Sequence, residues 1–175
     1  MAGAATPALA PMVEIRIEYA HRIHSAEIDA LEARSFTIRG ELLETVTRSR
    51  RQEPGVRLVA ISEGHVAGYL AGTWFHETPG RRVRSLWVIA LAVESRLRRR
   101  GIGRRLLAAL FERGCARGAV RYHLLVQVEN GGAIALYESL GFERHAQNPN
   151  VYGPGRHGLK MIREARPEDR RVAGG

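Results

Sequence analysis

At Val93 the period of the apolar residues changes. Three strand-like runs precede it, 56–62 (VRLVAIS), 66–76 (VAGYLAGTWFH) and 83–93 (VRSLWVIALAV). Turn residues separate them, Glu63-Gly64 and Pro79-Gly80, so the runs predict an antiparallel meander of three. Past Val93, residues 103–117 place Leu106, Leu107, Leu110 and Phe111 at i, i+3, i+4 spacing, with Arg104, Arg105, Glu112 and Arg113 off that stripe. That pattern is an amphipathic helix. Gly114 continues the stripe without a side chain, which weakens the last turn but permits close packing, and Gly118 can end the helix. Residues 121–128 (RYHLLVQV) read as the next strand. A strand, a crossover helix and a strand in that order argue that 83–93 and 121–128 run parallel.

The flanking segments extend this frame. Residues 13–19 (VEIRIEY) alternate apolar and polar and read as a strand. Ser25 can cap a helix carrying Ile28, Leu31 and Phe36, and Leu42, Leu43 and Val46 suggest a second helix that ends before Pro54. Asn130 can cap a helix whose apolar side is Ala133, Ile134, Tyr137 and Leu140, closed by Gly141. Two last strands, near 142–147 and 156–163, flank a loop rich in Gly, Pro and Asn. The expected fold is a mixed α/β sheet of about seven strands, antiparallel in its first half, with one parallel crossover and about four helices on its faces. Residues 1–12 and 164–175 read as disordered tails around a single domain, 13–163.

Composition narrows the class. Apolar residues make up 45% and charged residues 26%, which excludes a disordered chain or a fibrous rod. The longest apolar run, Leu86–Val93, is too short to span a bilayer, so no membrane role is expected. The first dozen residues lack the basic start and apolar stretch of a secretory signal. The one cysteine, Cys115, allows no internal disulfide and no cysteine-built zinc site, so no metal is expected and a reducing cytoplasm fits. Basic residues outnumber acidic ones, 27 to 18, for a net charge of +9. Lys160 is the sole lysine, so the excess is arginine, which reads either as attraction to anions or as codon bias. Six arginines fall between positions 96 and 105. No aromatic residue interleaves them, which argues against nucleic acid as the partner.

That arginine cluster holds the bend between the third strand run and the amphipathic helix. Gly101 and Gly103 allow close approach of a ligand, and the following helix offers unpaired N–H groups at its positive end. With arginines around it, the bend suits a diphosphate, or it is a glycine-relaxed turn in a solvated arginine run. It is neither the dinucleotide fingerprint, since position 106 is not glycine, nor a P-loop, since no Gly-Lys-Ser/Thr follows.

Two segments together resemble the GNAT superfamily of acyl-CoA-dependent N-acetyltransferases. Arg98-Arg99-Arg100-Gly101-Ile102-Gly103 fits the family's (Arg/Gln)-x-x-Gly-x-Gly/Ala turn. Asn130-Gly-Gly-Ala133-Ile134-Ala-Leu136-Tyr137-Glu-Ser-Leu140-Gly141-Phe142 fits its Asn-x-x-Ala-x-x-Leu-Tyr-x-x-x-Gly-Phe segment. The motifs and the order of elements agree from about residue 13 to 163, and the chain looks most like the ribosomal-protein alanine and N-terminal amine acetyltransferases.

The resemblance implies a V-shaped gap between the strands 86–93 and 121–128, filled by acetyl-CoA as co-substrate. It assigns Leu91, Ala92 and Val93 to the pantetheine arm through backbone groups, although a plain buried strand fits their side chains equally. It assigns Arg98, Arg99, Arg100, Gly101, Ile102, Gly103 and Arg104 to the pyrophosphate. Asn130 becomes a cofactor-side contact, a helix cap, or both. Tyr137 becomes the general acid that meets the departing thiolate, against the alternative of a residue on an apolar stripe. The implied route is direct attack by an amine, with a backbone N–H, that of Val93, stabilising the oxyanion. A covalent route through Cys115 is the rival, and Cys115 reads instead as a core filler.

One departure stands out. The alanine N-acetyltransferases carry a carboxylate base five residues before the motif Asn, and some relatives a histidine there, paired with a tyrosine on the previous strand. This chain has Leu125 and Trp87 at those places, and neither takes a proton. His123, Glu129, His76 and Glu77 are possible substitutes. His123 shares a strand face with Leu125 and either serves as the base, through water, or is a satisfied strand histidine. Phe36 or Ile38, with Tyr152, would wall the acceptor slot. The expected acceptor is a protein or peptide N-terminal amine. The alternatives are a small amine such as a polyamine, or no acceptor at all in a non-catalytic acyl-CoA-binding module. A monomer or homodimer is expected.

Overall fold

The computed structural model describes residues 14–35, 55–77 and 84–170. Its strands are β1 (Ile15–Tyr19), β2 (Val56–Ser62), β3 (His65–His76), β4 (Arg84–Val93), β5 (Ala119–Gln127), β6 (Glu143–Asn148) and β7 (Gly158–Glu164). Its α-helices are α1 (Ser25–Ser35), α2 (Ile102–Ala116) and α3 (Gly131–Ser139). The strands form one sheet in the order β1-β2-β3-β4-β5-β7-β6. Every neighbouring pair is antiparallel except β4 with β5, which α2 connects. The expected mixed sheet is therefore present, with its single parallel pair. The segments expected to hold Phe36, Ile38, the second helix around Leu42, Leu43 and Val46, and the turn at Pro79-Gly80 lie outside the described residues.

The sheet has two unlike faces. On one, Leu70, Leu86, Tyr122, Leu124 and Met161 pack beneath Leu106, Leu107 and Leu110 of α2 and Ile134 of α3. Burying each such side chain stabilises the fold by about 1.5–3 kcal/mol. The helix lies so close that a Cβ on Gly114 would stand 2.7 Å from Leu86 and 2.9 Å from Tyr122. Leucine-rich packing thus depends on the glycine that interrupts the stripe. The Tyr122 hydroxyl reaches past it and donates to the Phe111 carbonyl at 2.8 Å. On the other face, Val59, Tyr69, Ala71, Ala90 and Ala92 pack with Leu31 of α1. The two-residue period of the strands carries this face on to Phe75, Ser85, Trp87, His123, Leu125 and Lys160.

Two boundaries differ from expectation. The α1 region starts one turn before Ser25, as a 3-10 turn over Arg22–His24, and the His21 N–H donates to His24 Nδ1 at 3.1 Å. A histidine pair thus occupies the place expected for a serine cap. At the other end, the tail expected from residue 164 is folded as far as Arg170. Residues Pro167–Arg170 form a 3-10 turn, and Asp169 is buried against Arg163 through two bonds of 2.8 and 2.7 Å. The Arg166 N–H gives that carboxylate a third donor at 2.7 Å. Bidentate pairing and full hydrogen bonding let these charges leave water. Among the described residues no helix is long and apolar enough to cross a membrane, and no cluster of metal ligands occurs.

Candidate active site

β4 and β5 are partners only from Arg84/Ala119 to Val88/Leu124. Beyond that point β4 continues to Val93 and β5 to Gln127 without pairing, so the strands open into a fork. A bulge marks the opening. Ala71 faces Ala90 and Gly72 faces Val88, which leaves Ile89 as an extra residue on β4.

Past the bulge, β4 stays on β3. The Glu94 N–H donates to the Ala67 carbonyl at 3.0 Å, which makes 67 and 94 a hydrogen-bonded pair. Antiparallel ladders alternate, so Ala92 with Tyr69 is the next bonded pair. Leu91 and Val93 fall between these pairs and turn their N–H and C=O groups away from β3, into the fork. The Val93 carbonyl accepts from Arg98 Nε at 3.1 Å. Ala92, expected to act with its two neighbours, instead gives its backbone to β3 and buries its side chain on the α1 face.

The bend after β4 carries two left-handed residues, Arg99 (φ 65) and Gly101 (φ 78). Glycine takes that conformation freely, whereas a side chain costs about 1–2 kcal/mol there. A Cβ on Gly101 would touch nothing within 4 Å, so conformation and not space calls for glycine. Its carbonyl accepts the Arg105 N–H at 3.0 Å, and no side chain caps α2. The N–H groups of Ile102, Gly103 and Arg104 therefore head the helix without an intrahelical acceptor, at the positive end of its dipole. At Gly103 space matters, since a Cβ would stand 3.2 Å from Leu136 and 3.9 Å from Leu91 and Val93. That contact brings α2, α3 and the fork together. Arg99 and Arg100 are exposed, while Arg104 donates to Ser139 Oγ at 2.7 Å and so braces α3.

α3 brings two further expected residues to this place. Asn130 Oδ1 accepts the Ala133 N–H at 3.1 Å, so the cap is made. Tyr137 is buried and stands edge-to-face with Phe142, with ring centroids 5.7 Å apart. Burial, reinforced by the nearby Tyr152, raises its phenol well above the usual 10, so it stays protonated. Tyr152 lies half-buried in the loop between β6 and β7, where burial pushes its phenol up to about 12.

Residues 20–142 match the acetyltransferase (GNAT) family. The chain belongs to that family. It is 45% identical over 62 residues to the ribosomal protein bS18-alanine N-acetyltransferase of Salmonella typhimurium, covering 35% of this chain and 42% of the relative. It is 36% identical over 131 residues to the mycothiol acetyltransferase of Salinispora arenicola, covering 69% of this chain and again 42% of the relative. The chain thus spans about two fifths of the length of these curated relatives. Its fold is similar to that of Arabidopsis thaliana NAA60 in complex with acetyl-CoA, with TM-score 0.72 and 16% identity over 86% of this chain and 98% of that one.

The opposite face of this GNAT chain carries the polar groups. His123 is buried, stacked on Trp87 at 5.7 Å and edge-on to Phe75 at 5.0 Å. Its Nε2 lies 3.0 Å from Glu77 Oε1, which also accepts from Ser85 Oγ at 2.6 Å, and Arg121 reaches Glu77 Oε2 at 2.5 Å. Burial works to raise the Glu77 carboxyl, but the bonds from Ser85, His123 and Arg121 outweigh it, so the group sits below the usual carboxylate range. Burial also lowers the His123 pKa, against the pull of Glu77, so the imidazole is neutral at pH 7. A carboxylate facing Nε2 makes that nitrogen the donor and leaves the lone pair on Nδ1. Nδ1 is buried and has no partner among the described residues.

Leu125 lies beside the fork, and a Cβ on Gly158 would touch both Leu125 (3.0 Å) and Val151 (2.6 Å). Apolar packing under the β6–β7 loop thus fills the place where the family resemblance leads one to expect a base. Glu129 is exposed on the turn before α3, His76 is exposed at the end of β3, and Cys115 is buried on the α2 side with its Sγ 3.9 Å from the Arg166 carbonyl. Sequence reasoning missed Ser85, Arg121 and Lys160. Strand alternation places the first two beside His123, and the rarity of lysine in this chain singles out the third.

Proposed function

We propose that this chain is an acetyl-CoA-dependent N-acetyltransferase whose acceptor is the primary amine of a protein or peptide N-terminus. The observation that carries this reading is the fork with the outward N–H groups of Leu91 and Val93, set directly above the uncapped glycine bend of α2. The fork suits an extended pantetheine arm, and the bend suits a pyrophosphate. Arg99, Arg100 and the N–H groups from Ile102 to Arg104 would hold the phosphates, with Asn130 on the same side. Arg98 and Arg104 act one step back, by bracing Val93 and α3.

Acetyl-CoA supplies an activated thioester carbonyl. The Val93 N–H is the donor for charge developing on the carbonyl oxygen. Tyr137 is the acid for the departing sulfur, as its protonated phenol permits. His123 Nδ1 takes the proton of the attacking amine, and Glu77 holds the ring for that task. His123 lies two residues along the strand from Leu125 and its Nδ1 is closed off among the described residues, so acceptor binding has to open a water path to it. The relatives named above as a bS18-alanine N-acetyltransferase and a mycothiol acetyltransferase support the same acyl transfer, the first with a protein acceptor in its name. Leu125 favours a second reading, a non-catalytic acyl-CoA-binding module. Calorimetry with CoA, followed by thiol release with a panel of peptides and amines, separates the readings. Binding with release is expected. Binding without release leaves the module, and absence of binding overturns both.

A further inference from the structure

Lys160 is the sole lysine of a chain rich in arginine, and it sits on β7 opposite Leu125 of β5 and Ala146 of β6. Its side chain rises on the face of the sheet that carries His123 and crosses β5. The ammonium Nζ stands 5.8 Å from the centre of the Trp87 ring on β4. Trp87 in turn stacks on His123, the base of the proposed reaction. A cation therefore stands where the acceptor amine has to arrive.

No described carboxylate pairs with Lys160. Glu77 is taken up by Ser85, His123 and Arg121, and Glu164 pairs with Arg121 at 2.5 Å. Among the described residues the ammonium of half-buried Lys160 meets only a ring face, a contact weaker than a charge-assisted hydrogen bond. We propose that Lys160 binds an anionic group of the acceptor and selects a peptide whose N-terminal amine is followed, within the next two residues, by an acidic side chain. This rests on the transferase reading above. A polyamine or an arginine-rich N-terminus would bring like charge to the ammonium and be disfavoured. The net charge of +9 steers anionic partners in the same direction. Lysine carries a point charge on a flexible stem, so it serves a carboxylate at the second or third residue without demanding one geometry.

The test is a comparison of kcat/KM for peptides of one length and one N-terminal residue, with acidic, neutral or basic residues at positions two and three, beside the free amino acid. The acidic peptide should exceed the neutral one by about tenfold, chiefly through KM, as one charge-assisted hydrogen bond provides. The gap should shrink as salt rises. Lys160→Met should abolish it, Lys160→Glu should invert it and Lys160→Arg should keep it, with CoA affinity and melting temperature reporting that each variant is folded. Equal use of all three peptides, or a preference that survives in Lys160→Glu, overturns the proposal while the transferase reading stands. Free amino acid used as well as the acidic peptide assigns the charge to an α-carboxylate and overturns the peptide acceptor. If CoA binds and nothing is acetylated, the transferase reading fails and takes the proposal with it.

Discussion

The paired half of the β4/β5 junction and its open half use different parts of the chain. Up to Val88 and Leu124 the strands share their backbone bonds, so only side chains remain for chemistry, and Ser85, Glu77, Arg121 and His123 form a closed network there. Past that point, on the proposed reading, the backbone groups of Leu91 and Val93 are the functional groups, and the side chains around them are apolar. The difference separates the two tasks expected of a GNAT protein. On the proposed reading, proton handling falls to the paired half, where burial and charge tune a titratable ring. The same reading gives the grip on a long flexible co-substrate to the open half, where outward backbone donors remain unpaired with β5. Substitutions in the two halves should therefore fail in different ways.

The largest effect is expected from His123→Ala in the paired half. Losing a general base costs about 10²–10⁴ in rate. The sign of the pH dependence follows from the lowered His123 pKa. The wild-type imidazole is neutral at pH 7 and gains a proton only as pH falls through a value below the ordinary 6.5, so kcat/KM should drop on the acid side. His123→Ala should lower the plateau and erase that acid limb while CoA affinity stays the same. An unchanged profile would remove His123 from the mechanism.

Glu77→Gln comes next. It keeps the shape but removes the charge that orients His123 and pairs with Arg121. Loss of a charged hydrogen-bonding partner in a partly buried network should cost about 1–3 kcal/mol of stability. The carboxyl is held below its usual range when folded, so its contribution is complete above the unfolded carboxylate pKa and vanishes as pH falls through the folded one. Thermal melts at pH 7 and pH 3 check this. The gap between Glu77→Gln and wild type should be wide at the first and narrow at the second.

How far the sequence was legible follows the same division. β2, β3, β4 and α2 follow from local periodicity, and the Asn130 cap from a single residue type in place. The fork does not mark side-chain types. Leu91, Ala92 and Val93 look alike in sequence, and only the register against β3 separates the outward pair from Ala92. The bulge at Ile89 leaves no mark either, because the inserted residue is as apolar as its neighbours. Glu77 and Arg121 lie 44 positions apart, so their pairing required the parallel junction. The folded C-terminal turn escaped for a similar reason, since REARPEDRR reads as a solvated charge run until Arg163 and Asp169 are seen to bury each other.

Gly101→Ala probes the open half. A left-handed alanine costs about 1–2 kcal/mol. With open space around the added Cβ, the strain is the whole perturbation. If the bend relaxes to escape it, the N–H groups of Ile102 to Arg104 turn from the pyrophosphate and CoA affinity falls about tenfold for each 1.4 kcal/mol. Calorimetry should show that loss with the shape of the pH profile intact, the reverse of His123→Ala.

Arg100→Ala should have the smallest effect. The side chain is exposed and, among the described residues, holds nothing in the bend, in contrast to Arg98, whose Nε holds the Val93 carbonyl. An exposed charge beside a phosphate contributes about 0.3–1 kcal/mol at low salt, a two- to fivefold loss of CoA affinity. Screening should erase most of that loss near 1 M salt, where the Debye length is about 3 Å. Arg98→Ala should behave otherwise, because its role is to hold a strand end. Its loss should persist at high salt and appear in kcat as well as in CoA affinity, since Val93 would then carry its N–H on a loosened backbone. Equal salt sensitivity in the two variants would mean that both arginines act only as charges and that the fork keeps its shape without Arg98.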